Sequence, residues 1–398
     1  MRHFRLAAVF AFLVFLGTGC QSLTGAKRTG PWSPEILAEV PRVTWGGTTG
    51  LVQELYYDGV PLEGRPTRVY ALLGRPAGAL REKSPAVLLV HGGGGKAFRE
   101  WAEHWAQRGY VALAMDLSGN GPSGRLPDGG PDQSDAVKFR EFDKTTVPDM
   151  WTYHAVADVV RGHSLLRTLP GVDPDRIGVT GISWGGYLTC IVAGIDPRLR
   201  VAVPVYGCGF LGDNSYWTDK SLAAMSEASR KLWLASFDPS QYLGQVACPI
   251  LFLNGTTDFA YPLDSYQKCY RLVPEPLRNL SVVVDLPHGH IWTFAEVDTF
   301  IDAALNGGVS LPRLGVTECV GNQIGAEVVY PLAISEATLC YTTDVGAWQK
   351  RKWKTAPARV DGNRVVATLP AEQPTVAFLA VKDSRGLRVS SEHLEWVR

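Results

Sequence analysis

The chain has 398 residues, 45% of them hydrophobic. That is enough to bury a sizeable core and too long for one ordinary domain, so two domains are expected. The hydrophobic fraction argues against wholesale disorder, and Lys plus Arg and Asp plus Glu number 39 each with no long basic run, which leaves no electrostatic footprint for nucleic acid.

The N-terminus begins with basic "MRHFR", continues through apolar "LAAVFAFLVFL" and reaches "GTGC", ending at Cys20. The apolar run is too short to span a bilayer, and the order is that of an export signal. Small residues before Cys20 make the stretch similar to a bacterial lipoprotein signal, whose mature chain starts at a lipid-modified cysteine. Gly17 stands where that signal favours leucine, with Leu16 one step back. The expectation is a signal over residues 1–20 and an exported chain. It is either anchored in the bacterial envelope by lipid on Cys20 or released as a periplasmic or secreted protein.

Next, "LVQELYYDG" and "TRVYALLGRP" read as a strand pair flanking a larger sheet. From Pro85 the rhythm changes. "AVLLV" is a buried strand, "FREWAEHWAQRG" sets Phe98, Trp101, Ala102, Trp105 and Ala106 on one helical face, and "YVALAMDL" is a strand again. "MWTYHAVADVVRGHSLLRTL" is a helix, followed by "RIGVTGIS" (strand), "GGYLTCIVAGI" (helix) and "VAVPVYG" (strand). "PILFLNG" and "LSVVVDL" are later strands, and "FAEVDTFIDAAL" is a helix. Such alternation predicts a doubly wound α/β domain over residues 31–306, with a mostly parallel sheet covered on both faces. Two stretches interrupt it: the polar loop "SGNGPSGRLPDGGPDQSD" and residues 209–243, read as short helices over the sheet edge. Both have the character of lids or binding loops.

Residues 309–398 carry short strands spaced by turn residues, including "AEVVYPL", "ATLCYTT", "NRVVATLP" and "TVAFLAVKD", and predict a small β-sandwich. Six cysteines follow Cys20, without CxxC spacing or clustered histidines, so neither a metal nor a cofactor is expected. Cys319 and Cys340 both fall in the small C-terminal region and are the expected disulfide of an exported chain.

The chemistry centres on "GISWGG", residues 181–186. A Gly-x-Ser-x-Gly turn between strand and helix lifts a serine hydroxyl above a sheet, and here that serine is Ser183. In such a fold the acid and the histidine follow in chain order, each after a later strand. Asp258 ends "PILFLNGTTD", and His288 and His290 end "LSVVVDLPHGH". Ser183 would attack an acyl carbon, a histidine would take its proton, and Asp258 would orient that histidine. One of the two histidines is the base, His288 being preferred because it leaves the longer loop before the next helix. An oxyanion needs two backbone N–H donors: Trp184, after the nucleophile, and Gly93 or Gly94 in "HGGGGK". His91 reads as structural. Tyr216, Trp217, Trp233 and Trp292 are candidates to line a sugar or acyl pocket, with packing beneath a lid as the alternative.

Through "HGGGG", "GISWGG", "NGTTD" and "LPHGH", residues 85–306 resemble the α/β-hydrolase superfamily. Within it they are most similar to bacterial acetyl xylan esterase-like and dienelactone-hydrolase-like proteins, which adjoin the prolyl oligopeptidase family. The resemblance implies a serine hydrolase of carboxylic esters, acting on a small-molecule or carbohydrate ester and deacetylating carbohydrate, and the N-terminal signal adds the expectation of export. A prolyl-oligopeptidase-type peptidase is the enzymatic alternative. A lipoprotein that only binds glycan or protein is the alternative of another class.

Overall fold

The computed structural model describes residues 29–78 and 83–396, so the signal and Cys20 lie outside the described residues. In chain order the main sheet is formed by β1 (Val43–Thr49), β2 (Val52–Asp58), β3 (Arg68–Gly74), β4 (Ser84–Val90), β5 (Val111–Met115), β6 (Val172–Ile182), β7 (Val201–Val205), β8 (Ile250–Gly255) and β9 (Arg278–Val283). Their spatial order is β1-β2-β3-β5-β4-β6-β7-β8-β9. Strands β4 to β9 pair in parallel, while β1, β2 and β3 run antiparallel along one side.

The central strands β4, β5 and β7 are buried along their whole length. They read as continuous apolar runs for this reason: helices cover both faces of a parallel sheet. Helices Arg99–Gln107 and Ala295–Asn306 lie together, joined by His104 Nε2 and Asp298 Oδ2 at 2.9 Å. Helices Trp151–Thr168 and Trp184–Ile195 pack against each other on the sheet as a second pair. On Arg99–Gln107 the buried residues are Trp101, Ala102, Trp105 and Ala106, the apolar face read from the sequence.

The strand order reverses around β4, whose neighbours β5 and β6 lie on opposite sides. Loops leaving the carboxyl ends of two strands at such a point diverge and open a crevice. Register pairs Val90 of β4 with Gly181 of β6, so the loop beginning at His91 emerges beside Ser183. The topology therefore sets the glycine-rich loop beside the serine.

The C-terminal residues form two antiparallel sheets, one built on Arg313–Val320, Gln323–Val329 and Arg364–Thr368, the other on Ile334–Thr342 and Val376–Asp383. This small β domain covers the otherwise open edge of β9. Ser281 Oγ donates to Arg388 O at 2.9 Å, and Ser390 Oγ accepts from Val282 N at 2.8 Å. Covering an edge strand removes a template for unwanted pairing.

Three readings need correction. The flanking pair is a three-stranded set, because Val43–Thr49 also pairs; its two glycines and exposed faces gave no apolar alternation to read. The strand Arg313–Val320 was likewise unread. The expected disulfide is absent: Cys319 and Cys340 are both free thiols, on strands of different sheets. Sharing a small region is not sufficient, since a bridge needs Cα atoms within about 7 Å and converging Cβ vectors.

Candidate active site

Ser183 joins β6 to the helix Trp184–Ile195 with φ 58° and ψ −118°, a conformation that L-residues rarely adopt. Neighbouring glycines make the turn possible. A Cβ at Gly181 would run into Gly185 O, and one at Gly185 would run into Val90 O of the adjacent strand. Backbone atoms cannot yield as a side chain can, so both positions exclude any larger residue. The turn is held by Ser183 N donating to Val205 O and Tyr187 N donating to Ser183 O, each at 2.9 Å.

Asp258 follows β8 and is buried. Its Oδ1 accepts from Ala260 N at 2.9 Å and Tyr261 N at 2.8 Å, which fixes the carboxylate. Its Oδ2 faces His288 Nδ1 at 2.6 Å, and His288 Nε2 faces Ser183 Oγ at 2.8 Å. A carboxylate only accepts, so Nδ1 carries the proton and Nε2 is free to accept from the serine hydroxyl. The imidazole is clasped by the Tyr206 ring, stacked at 4.4 Å, and by the Phe259 edge at 4.8 Å. Tyr206 in turn donates to Pro287 O at 3.0 Å. A hydrogen-bonded acid, imidazole and hydroxyl in this order can activate a serine for attack on an acyl carbon.

His290 is not in that chain. Its Nε2 is buried without a hydrogen-bond partner among the described residues, and its ring packs on Phe98 at 5.2 Å. Burial, together with the nearby His288, pushes its pKa down. His91 is also removed from the serine. Leu117 N donates to its Nε2 at 2.9 Å, so Nδ1 bears the proton and donates to Gly92 O at 2.8 Å. Burial lowers the His91 pKa to about 4 and keeps the ring neutral.

Gly93, Gly94 and Trp184 join Ser183, His288 and His290 around a cleft of about 520 Å³. Tyr216 and Trp217 line it as well. Trp233 and Trp292 do not: Trp233 is fully buried and donates Nε1 to Lys138 O at 2.9 Å, and Trp292 packs tilted against Phe98 and stacks on Trp101. Sequence reading missed the paired charges in the wall. The buried Lys138 ammonium lies 3.0 Å from Asp135 Oδ1 and 4.1 Å from the Trp184 ring centre, and Asp135 Oδ2 accepts from Trp217 Nε1 at 3.1 Å. Burial lowers the Lys138 pKa, and Asp135 opposes that shift. Neither residue belongs to a motif. Tyr206 carried one signal, its place at the carboxyl end of a buried strand.

This sheet, with its serine turn at the strand-order reversal, defines an α/β-hydrolase. The family model described as acetyl xylan esterase (AXE1) matches residues 38–241, which include the glycine-rich loop and Ser183 and end before Asp258 and His288. The chain belongs to the acetyl xylan esterase family.

Among curated relatives, it is 24% identical over 243 residues to acetyl esterase Axe7A of Xylanibacter ruminicola, spanning 58% of this chain and 54% of that one. It is 27% identical over 249 residues to the uncharacterized peptidase YuxL of Bacillus subtilis, spanning 56% of this chain and 33% of that one. The chain thus spans about half or less of the length of these relatives. Two solved structures share the fold. Acetyl xylan esterase 1 from Thermoanaerobacterium sp. JW/SL YS485 has a TM-score of 0.53 at 20% identity, covering 68% of this chain and 91% of its own. The acetyl xylan esterase from Paenibacillus sp. R4 has a TM-score of 0.55 at 20% identity, covering 67% and 89%.

Proposed function

We propose that the protein is a serine esterase that removes short acyl groups, acetyl above all, from a hydroxylated substrate such as a carbohydrate. The observation that carries this reading is the chain from Asp258 Oδ2 to His288 Nδ1 (2.6 Å) and from His288 Nε2 to Ser183 Oγ (2.8 Å). In the first step His288 takes the Ser183 proton as Oγ attacks the acyl carbon, and Asp258 stabilises the imidazolium. The carbonyl oxygen becomes an oxyanion, received by the N–H groups of Trp184 and of Gly93 or Gly94. Collapse expels the alcohol, which leaves with the proton from His288. Water, deprotonated by the same imidazole, then attacks the acyl-enzyme and releases the acid. Tyr216 and Trp217 in the cleft supply apolar faces of the kind a sugar ring packs on.

A panel of acetyl, butyryl and feruloyl esters beside prolyl amides tests the reading. Acetyl esters are expected to give the highest kcat/KM; prolyl amides outrunning every ester would replace the esterase with a peptidase. A fluorophosphonate is expected to label Ser183, and a folded protein that resists labelling at that residue would be a binding protein on a hydrolase fold.

Residues 1–20 support export, with a lipid on Cys20 as the membrane anchor. Intact-mass measurement on membrane-extracted protein is expected to find a chain starting at Cys20 with added acyl mass. A soluble chain starting after Cys20 would leave a secretory signal alone.

A further inference from the structure

An ester poised for attack by Ser183 Oγ extends from its carbonyl carbon in three directions. The oxygen turns to the N–H groups of Trp184 and of Gly93 or Gly94, and the alcohol oxygen must reach His288 Nε2 to take its proton. The acyl chain has the third direction. Exposure separates the two sides of the cleft. Beside the base, Phe259 lies 4.8 Å from the His288 ring and meets Tyr216 nearly at a right angle at 5.6 Å. These two rings are 51% and 41% exposed, so the alcohol side is an open aromatic corner. The lining also includes Trp184, Trp217, Asp135 and Lys138. Trp184 and Trp217 are only 3% and 5% exposed, and this wall is closed.

Four side chains join the closed wall into a ring of contacts. Asp135 Oδ1 lies 3.0 Å from Lys138 Nζ, and that ammonium lies 4.1 Å from the Trp184 ring centre. Trp184 packs on Trp217 at 4.5 Å, and Trp217 Nε1 donates back to Asp135 Oδ2 at 3.1 Å. A cation on an aromatic face is held most strongly where water is excluded, and Lys138 is buried. Tyr187 and Trp151 also pack on the Trp184 ring, at 4.9 and 5.6 Å. An indole with these partners cannot swing aside without breaking several contacts at once. Its near edge lies close to the reaction, since a Cβ at Gly93 would stand 3.0 Å from Trp184 Cδ1.

We propose that the Trp184 indole is the stop of the acyl pocket: pinned by Lys138 and Trp217, it admits an acetyl group and turns away longer acyl chains. This inference rests on the serine-esterase reading and names the residue behind its preference for acetyl. Trp184 then acts twice, through its N–H on the oxyanion and through its ring on the acyl chain. Lys138 and Asp135 are positioning residues, because they act through that ring.

The test is the ratio of kcat/KM for p-nitrophenyl butyrate to that for p-nitrophenyl acetate. It is taken within each protein, so a general loss of activity cancels, and the alcohol is the same in both esters. The unsubstituted protein is expected to give a ratio below about one-tenth, since a fixed wall has no room for two more methylenes. Trp184→Leu keeps the backbone N–H and cuts the wall back, and its ratio should rise about 10- to 100-fold. Lys138→Met removes the cation while the half-exposed Asp135 carboxylate keeps Trp217 and gains water. Its ratio should rise less, about 3- to 10-fold, because the indole is loosened rather than removed.

A ratio in folded Trp184→Leu within about threefold of the unsubstituted value overturns the proposal. So does an unsubstituted protein that hydrolyses butyrate as fast as acetate. So does a Trp184→Leu variant that changes the ranking of p-nitrophenyl against methyl acetate while its acyl ratio holds, which would put the indole on the alcohol side. An unchanged ratio in folded Lys138→Met overturns the pinning by Lys138. If Trp184→Leu fails to fold, Trp184→Phe decides on the same ratio: a rise supports the stop, and no change removes it. Failure of the underlying reading looks different, because Ser183→Ala would then stay active and Ser183 would resist a fluorophosphonate.

Discussion

Ser183→Ala is expected to abolish ester hydrolysis, lowering kcat by about 10⁶-fold, while the protein stays folded. Both halves follow from the geometry. The hydroxyl is the group placed 2.8 Å from His288 Nε2, and alanine offers no nucleophile in its stead. Backbone strain is unchanged, because alanine at φ 58° meets the same steric cost as serine. The bonds that hold the turn, Ser183 N to Val205 O and Tyr187 N to Ser183 O, are backbone bonds and survive the substitution. Thermal unfolding should therefore shift by no more than a few degrees, as about 1 kcal/mol would cause in a domain of this size. The check is turnover of p-nitrophenyl acetate beside a melting curve. A folded variant with more than about a hundredth of the original kcat would take the nucleophile's role from Ser183.

What the sequence discloses depends on how local the constraint is. Ser183 is legible because its turn needs glycine two residues on either side, and at Gly181 and Gly185 the obstacle is backbone, which no repacking removes. Asp258 is legible because it closely follows a buried strand at the same sheet edge. His288 and His290 are harder. Both sit two residues apart in one loop, and loop length favours His288 without excluding the other. The structure separates them through contacts distant in sequence: Tyr206 and Phe259 clasp His288, while Phe98 and the glycine loop hold His290. Lys138 and Asp135 were invisible for the same reason, their meaning coming from Trp184 and Trp217. Among the strands, Val43–Thr49 went unread because six of its seven residues are exposed, and an exposed edge needs no apolar alternation.

His288→Ala should match Ser183→Ala, with kcat lower by about 10⁶-fold, and the double variant should lose almost nothing more. Serine and imidazole act as a unit: without a base the hydroxyl is a poor nucleophile, and without the nucleophile the base has no task. Stability behaves differently in the two variants. Removing the imidazole leaves Asp258 Oδ2 buried without its 2.6 Å partner, while Oδ1 keeps the Ala260 and Tyr261 amides. An orphaned buried acceptor costs about 1–3 kcal/mol, so this variant should melt several degrees lower than Ser183→Ala. The space between Tyr206 and Phe259 is imidazole-shaped, so added imidazole should restore part of the turnover to His288→Ala and none to Ser183→Ala. Comparison with His290 gives the sharpest outcome. His290 contacts neither the Ser183 hydroxyl nor Asp258, so its loss is expected to cost far less, with no rescue by imidazole. If instead His288→Ala keeps near-normal turnover and His290→Ala loses it with rescue, the base is His290, while Ser183 and Asp258 keep their places.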